Sequence, residues 1–427
     1  MTAKRVVIVG GGIIGLSTAL YALRRGHGVT IIERAAPPGQ GCALGSSGMI
    51  VPSHFVPLAA PGMVALGLKW MLDPESPFYI RPRASLDLLR WGWRFMRAAN
   101  AAHVARAAPL LRDLHLASRA GYEEWADEFH DAFGLVRKGL LMLCKTEHGL
   151  REEAKTADVA RQLRVPAEVL DRNETETLEP ALRLDIAGAV YYPRDCHLTP
   201  ELLIAALTRA VSVAGAELLW ETTVTRWHTG GERVERVETN RGDVHGEINA
   251  DEFVLAAGVS SSGIAEPLGV HLPMQAGKGY SMTLPSPPRL PSICAILTEA
   301  RVAITPMGSA LRVGGTMEIL AADANSNAVS PARVRGITRS VPEYFPDFST
   351  EDFRDAPVWS GLRPCSPDGL PYLGRFRRYA NLSAATGHSM MGVSLAPITG
   401  KLMAEILSDE KPSIDIGLLN PDRYPSR

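Results

Sequence analysis

Residues 6 to 33 read VVIVGGGIIGLSTALYALRRGHGVTIIE. The β-branched run Val6 to Val9 predicts a buried strand. It runs directly into Gly10-Gly11-Gly12-Ile13-Ile14-Gly15, then into a helical apolar pattern (Leu16, Ala19, Leu20, Leu23) and a second strand, Val29 to Ile32, ending in Glu33. The glycines Gly10, Gly12 and Gly15 carry the G-x-G-x-x-G spacing. The first permits a tight strand-to-helix turn, the second lets a pyrophosphate approach the backbone, and the third lets helix and strand pack closely. Ile13 and Ile14 open the helix, whose free N–H groups and positive dipole end suit phosphate. Glu33 lies 18 residues beyond Gly15, where a carboxylate accepts from a ribose hydroxyl. Strand, helix, strand and acid together predict a dinucleotide-binding βαβ unit.

Val6 to Leu23 is also an 18-residue uncharged stretch behind Lys4 and Arg5. Three consecutive glycines inside it argue against a signal peptide or a membrane span. The other long apolar stretch, Phe55 to Leu68, is too short to cross a bilayer and contains Pro57 and Pro61. The 427 residues allow two domains or one interleaved pair, and a net charge of −1 gives no global pull toward nucleic acid. Five scattered cysteines (Cys42, Cys144, Cys196, Cys294, Cys365) with no CxxC spacing argue against a disulfide framework, a zinc site or an iron–sulfur cluster, so no metal is expected and the cytoplasm is the expected compartment.

Parallel-sheet signatures fall at the start, at Phe253-Val254-Leu255-Ala256-Ala257-Gly258, and near Tyr379 to Ala385 before a helix over Val393 to Leu407. Between them lie helical periodicity over 113 to 165, a helix opened by Pro200, antiparallel alternation over 217 to 249, and strands over 274 to 318. The expected fold class is α/β (α+β overall). A Rossmann-like dinucleotide domain assembled from 1–55, 190–270 and 355–427 interleaves with a substrate domain of antiparallel sheet and helices at 56–189 and 271–354.

Seven segments carry a family resemblance: GGGIIG with Glu33-Arg34; GSSGMIVP at 45–52; AAPG, KWM and SPFYIRPR between 59 and 83; VLAAG at 254–258; GKGYS at 277–281; WSGLRPCSPDGLPYLG at 359–374; and TGHSMMG at 386–392. Together they resemble the D-amino acid oxidase/dehydrogenase superfamily of FAD enzymes, most of all the bacterial D-amino acid dehydrogenases, over the whole chain. The resemblance implies FAD as cofactor and a small amino acid as substrate. It implies that Arg363, in a loop stiffened by Pro364, Pro367 and Pro371, clamps the α-carboxylate as a bidentate fork and points Cα–H at flavin N5. The competing reading pairs Arg363 with Asp368. Tyr280 is implied as a donor to the second carboxylate oxygen, against the alternative of an ordinary strand tyrosine, and Lys278 reads equally as a solvated strand lysine. Ser46, Ser47, Gly48 and Met49 resemble the flavin-covering turn. Val224 matches an adenine-side contact, and Ala257-Gly258 a strand end near the pyrophosphate. Gly387, His388, Met390, Met391 and Gly392 precede the last helix, with His388 touching the flavin or capping the turn. Cys42 reads as an ordinary thiol, and His54 and His197 as structural.

There is no acid–base dyad and no Ser-His-Asp set, which suits hydride transfer by a cofactor that needs mainly orientation. With no iron–sulfur or haem motif, electrons leave to an external acceptor such as a quinone or dye. An oxygen-using oxidase of the same family and a non-catalytic FAD subunit remain alternatives. Residues 69 to 112 hold eight Lys/Arg against three acids, a local charge of +5. Arg90, Arg94 and Arg97 share one helix face and Trp91 and Phe95 another. This reads either as a peripheral membrane contact at the inner face of the cell membrane or as a solvated basic face.

Overall fold

The computed structural model describes residues 2–39, 41–71, 73, 75–81, 83–322 and 328–424. The β-branched run forms the Arg5–Val9 strand at the centre of a six-stranded sheet. In spatial order the sheet comprises Tyr372–Arg375, Leu382–Thr386, Glu252–Leu255, Arg5–Val9, Gly28–Ile32 and Glu217–Leu219. All neighbours run parallel except the Tyr372–Arg375 edge. The Ile13–Arg24 helix covers one face, packed so closely on the Ala396–Leu407 helix that a Cβ at Gly400 would stand 2.5 Å from the Ser17 carbonyl oxygen.

A nine-stranded sheet forms the second layer system. Its path runs Val358–Cys365, Gln275–Leu284, Ala310–Leu320, Val302–Met307, Cys294–Leu297, Leu140–Cys144, Gly188–Tyr192 and Glu168–Asp171, with Phe78–Ile80 added on Ala310–Leu320. An apolar core including Leu141, Met282, Val313, Ile337, Val341 and Tyr344 fills the space between one face of this sheet and the Pro331–Tyr344 helix. A small antiparallel sheet, Thr223–Gly230, Arg233–Arg241 and Val244–Asn249, shares no ladder with either but packs on the six-stranded sheet, with Val234 and Val237 in one core with Val7 and Phe253.

The chain visits the six-stranded sheet three times and the large sheet in between, but the expected joints shift. Gly188–Tyr192 and Val358–Cys365 both belong to the large sheet, so the boundary at 190 cuts the first of these strands and the one at 355 precedes the second. The helical stretch expected at 113–165 is two helices, Ala101–Glu128 and Glu147–Gln162, separated by Leu140–Cys144. That LLMLC run is buried throughout; a strand covered on both faces carries no period-2 signature for sequence reading to find. Glu217–Leu219, read with the antiparallel run, instead pairs parallel with Gly28–Ile32.

Candidate active site

At the C-terminal ends of the parallel strands the three fingerprint glycines do different work. Gly10 has φ of +115°, and a Cβ there would stand 2.5 Å from the Ala256 carbonyl oxygen. A Cβ on Gly15 would lie 1.9 Å from the Gly10 oxygen, whereas one on Gly12 would meet nothing within 4 Å. The turn is thus closed behind and open in front. Gly12 caps the Ile13–Arg24 helix without a side-chain bond, which leaves first-turn N–H groups for a phosphate, while the Ile13 and Ile14 side chains anchor the helix in the core. Glu33 accepts from the N–H of Gly11 at 2.7 Å and of Ala35 at 2.9 Å, and Arg34 is exposed beside it. Thr222 N–H donates to the Glu33 carbonyl, which brings the chain leading to Val224 alongside; Val224 itself pairs with Thr239. Across the opening, Gly258 turns with φ of +56° and its carbonyl accepts from the Thr386 hydroxyl at 3.0 Å. Gly387 follows with φ of +79°, against the Tyr372 ring. An open glycine turn, an uncapped helix start and a carboxylate at the second strand's end fit FAD.

His388 is buried, with Nε2 3.0 Å from the Thr399 hydroxyl, and burial pushes its pKa down to about 3. It is a neutral hydrogen-bonding group at neutral pH. Met390 is exposed, Met391 packs against the main core, and Gly392 adjoins the His388 Cβ.

The Gly45–Met49 turn is held by the other sheet. Ser281 Oγ donates to the Gly45 carbonyl at 2.8 Å. Arg312 Nη1 donates to the carbonyls of Leu44 (3.0 Å) and Ser46 (3.1 Å), Nε to the Thr283 hydroxyl (3.0 Å), and the fork also pairs with Glu201. Ser46 Oγ accepts from Gly48 N–H at 3.3 Å, and the Ser47 hydroxyl faces Gly314. Met49 then pairs with His197, closing the turn against a second segment. Arg312 escaped the sequence reading. Its signal was present: one arginine inside the apolar strand Ala310–Leu320.

Arg363 lies on an edge strand of the large sheet, not in a loop. Pro364 is tolerated there because an edge leaves one side of the backbone without ladder bonds. Pairing of Gly277 with Arg363, Gly279 with Gly361 and Ser281 with Trp359 defines one face. On it the guanidinium lies flat over Gly279, where a Cβ would stand 2.2 Å from Nη2 and 2.3 Å from Cζ. Trp359 covers both Gly361 and Gly45, joining this face to the turn. Arg363 Nη1 donates to the Thr316 carbonyl at 2.8 Å. Thr316 takes φ of +67°, a strained conformation for a β-branched residue. Asp368 does not pair with Arg363. It is engaged bidentately by Arg423 at 2.7 and 3.0 Å; burial alone would raise its pKa, but that guanidinium holds it below the usual carboxylate range. Burial lowers the Arg363 pKa, opposed by the neighbouring Cys42 and Cys365 thiols. The side chain is half-buried.

Tyr280 projects from the opposite face. Its ring is in the core behind the sheet, and its hydroxyl donates to Glu318 at 3.0 Å. The one-residue alternation of the strand separates it from Gly279 and Ser281, so the expected carboxylate contact is corrected: Tyr280 does not share the Arg363 face. Lys278 is likewise buried, not solvated, donating to the Ala328 carbonyl and lying 5.4 Å from the Tyr280 ring.

Other polar groups settle into structural roles. The Ser53 N–H and hydroxyl both donate to buried Asp195, whose pKa burial raises to about 7, and the same hydroxyl lies 2.9 Å from His54 Nδ1. Burial lowers His54 and His197 each to about 4. His228, Glu238 and Glu247 cluster on the small sheet, where Arg236 pairs with Glu247 at 3.1 Å. In the Leu86–Ala98 helix, Trp91 and Phe95 stack and face inward, and Trp91 Nε1 donates to the Cys365 carbonyl at 2.9 Å.

The family described as DAO, FAD dependent oxidoreductase, matches residues 5–406. A D-amino acid dehydrogenase of Granulibacter bethesdensis is 33% identical over 427 residues, covering 98% of this chain and 99% of that protein. One of Bradyrhizobium diazoefficiens is 33% identical over 434 residues, covering 99% of each. The crystal structure of glycine oxidase from Geobacillus kaustophilus superposes with a TM-score of 0.78 at 25% identity, over 99% of this chain and 100% of that one. Matched by the family model over nearly its whole length and one-third identical to these relatives, the chain belongs to the DAO family of FAD-dependent oxidoreductases.

Proposed function

We propose that the protein is an FAD-dependent dehydrogenase of small D-amino acids, with the six-stranded sheet and its helices as the FAD domain and the large sheet as the substrate domain. The observation that carries this is Arg363: a half-buried fork held flat over Gly279, bonded to the Thr316 carbonyl, and with no carboxylate bonded to it among the described residues. A substrate carboxylate completes that environment, and bidentate pairing fixes both position and orientation. Bound FAD supplies the hydride acceptor. The chain's own part is to hold Cα–H toward it, to exclude water behind Trp359 and the Gly45–Met49 turn, and to keep His388 neutral nearby. The substrate loses hydride from Cα and a proton from nitrogen. Water then converts the imine to a 2-oxo acid and ammonia, and the electrons leave to an external quinone or dye. The D series follows the names of the 33% identical relatives. The Tyr280 position offers this site nothing from its own face.

The test is anaerobic loss of flavin absorbance on adding individual D- and L-amino acids. Bleaching by D-amino acids without peroxide on readmitting air fits the proposal; no bleaching by any amino acid refutes it. Peroxide release would favour the second reading, an oxygen-using oxidase, which the likeness to glycine oxidase supports. Arg363→Ala should lower kcat/KM by roughly 30- to several-thousand-fold, as expected on removing one partner of a buried charge pair, with FAD content unchanged. Arg363→Lys should recover only part.

A further inference from the structure

The Leu86–Ala98 helix buries Trp91 and leaves an unusual outer surface. Leu86, Leu89, Trp93 and Met96 are 69%, 67%, 53% and 53% exposed. Their spacing of three, four and three residues puts them in one row along the helix. Arg90 and Arg97 are exposed along one flank of that row, and the Arg97 guanidinium lies 4.7 Å from the Trp93 ring centroid. Arg94 does not join them. It turns toward the body of the protein, 4.9 Å from the Tyr424 ring and 3.5 Å from His271. The face with the exposed arginines is therefore also the face with the apolar row, an arrangement different from the one-basic, one-aromatic division expected from sequence.

We propose that this outer face docks on an anionic lipid surface, with the Leu86/Leu89/Trp93/Met96 row in the interface and Arg90 and Arg97 at the headgroups. The binding stands on this surface alone; only its meaning, delivery of electrons to a membrane-held acceptor, rests on the proposed dehydrogenase reading. Three observations favour lipid over other occupants. A solvated helix face does not carry four large apolar side chains at half exposure or more. The helix belongs to a basic segment, with eight Lys/Arg against three acids over 69–112 in a chain whose net charge is −1. A second copy would bring arginine flank against arginine flank, with only Asp87 as an exposed acid on this helix. The helix lies in the plane of such a surface rather than crossing it, and among the described residues no helix is long and apolar enough to cross a membrane. The inner face of the same helix bonds, through Trp91, to the carbonyl of Cys365, two residues from Arg363. The surface is thus bolted to the strand that carries the substrate arginine.

The experiment is vesicle co-sedimentation of the FAD-loaded protein with phosphatidylglycerol/phosphatidylcholine and with phosphatidylcholine alone, at low and high salt. Two basic residues at an anionic surface should favour the anionic vesicles by about 30-fold, with the preference falling as salt rises. Arg90→Gln with Arg97→Gln should abolish that preference. Leu89→Gln with Trp93→Gln should weaken binding to both vesicles. All four positions lie outside the site, so both variants should keep FAD content and turnover with a soluble dye; absence of turnover in the unaltered protein would refute the dehydrogenase reading and leave the vesicle result standing. The proposal falls if binding is absent, or equal on both vesicle types at low salt. It also falls if sedimentation velocity without lipid shows a dimer that Trp93→Gln dissociates, because the row is then a self-interface.

Discussion

Substituting Gly279 by alanine tests whether the site depends on the position of the Arg363 fork or only on its charge. Gly279 has ordinary strand backbone, so alanine imposes no φ strain. Its Cβ, however, would stand 2.2–2.3 Å from Nη2, Cζ and Nη1 of Arg363, against an ordinary contact distance of 3.4 Å or more. The guanidinium must retreat by ~1 Å, and a displacement of that size at a reacting centre can cost about 100-fold. The clash is with the far end of a flexible side chain, so the fold should tolerate it, and the strand stays paired on both sides. Gly279→Ala should therefore lower kcat/KM for the best D-amino acid by about 100-fold, close to the Arg363→Ala effect although the arginine remains. Steady-state dye reduction, FAD content and Tm measured on the same preparation decide it. If kcat/KM stays within threefold with FAD content and Tm unchanged, the fork's placement does not govern the reaction and the carboxylate partner lies elsewhere. Loss of FAD instead would place this face against the cofactor rather than the substrate.

Glu33→Ala should weaken FAD affinity by roughly 10- to 150-fold, the worth of a charge-assisted hydrogen bond, with little change in turnover of the loaded fraction; FAD titration measures it. Arg312→Met removes the tether on the carbonyls of Leu44 and Ser46, and should destabilise the protein by about 2–4 kcal/mol while raising the FAD off-rate, read by flavin fluorescence on dilution. Asp195 has a folded pKa of about 7, raised by burial above its unfolded value, so the folded state holds its proton more tightly. Stability from this group is greatest below the unfolded pKa and falls as pH rises to about 7, by at most ~4 kcal/mol. Asp195→Asn should flatten that slope and raise Tm most at pH 8; a Tm difference between variant and parent that is constant from pH 5 to 8 would remove Asp195 as the cause.

Much of the six-stranded sheet and its helices was legible because its signals are local. Gly10, Gly12, Gly15 and Glu33 sit within one strand–helix–strand unit, where backbone geometry and helix-end chemistry demand those residue types at that spacing. The strand at Glu252–Leu255 and the last helix were readable for the same reason: an apolar run or a helical period is a property of a short window. Arg363 was marked by the resemblance of its surroundings, although the prolines around it suggested a loop where the chain makes an edge strand.

Only the tertiary structure decided the rest. Which face Tyr280 takes depends on the register of Gln275–Leu284 against two partner strands, since a one-residue step inverts every side chain. Whether Arg363 or Arg423 takes Asp368 depends on a contact between residues 55 apart. That Arg312 and Ser281 close the turn at Gly45 depends on two sheets meeting across more than 230 residues of chain. The amphipathic helix shows the same division: sequence supplied its charge and period, but packing of Trp91 against Cys365 fixed which apolar side chains turn inward and left Leu86, Leu89, Trp93 and Met96 outside. Sequence determines what each segment can form; long-range pairing, which carries no local signature, decides what each side chain faces.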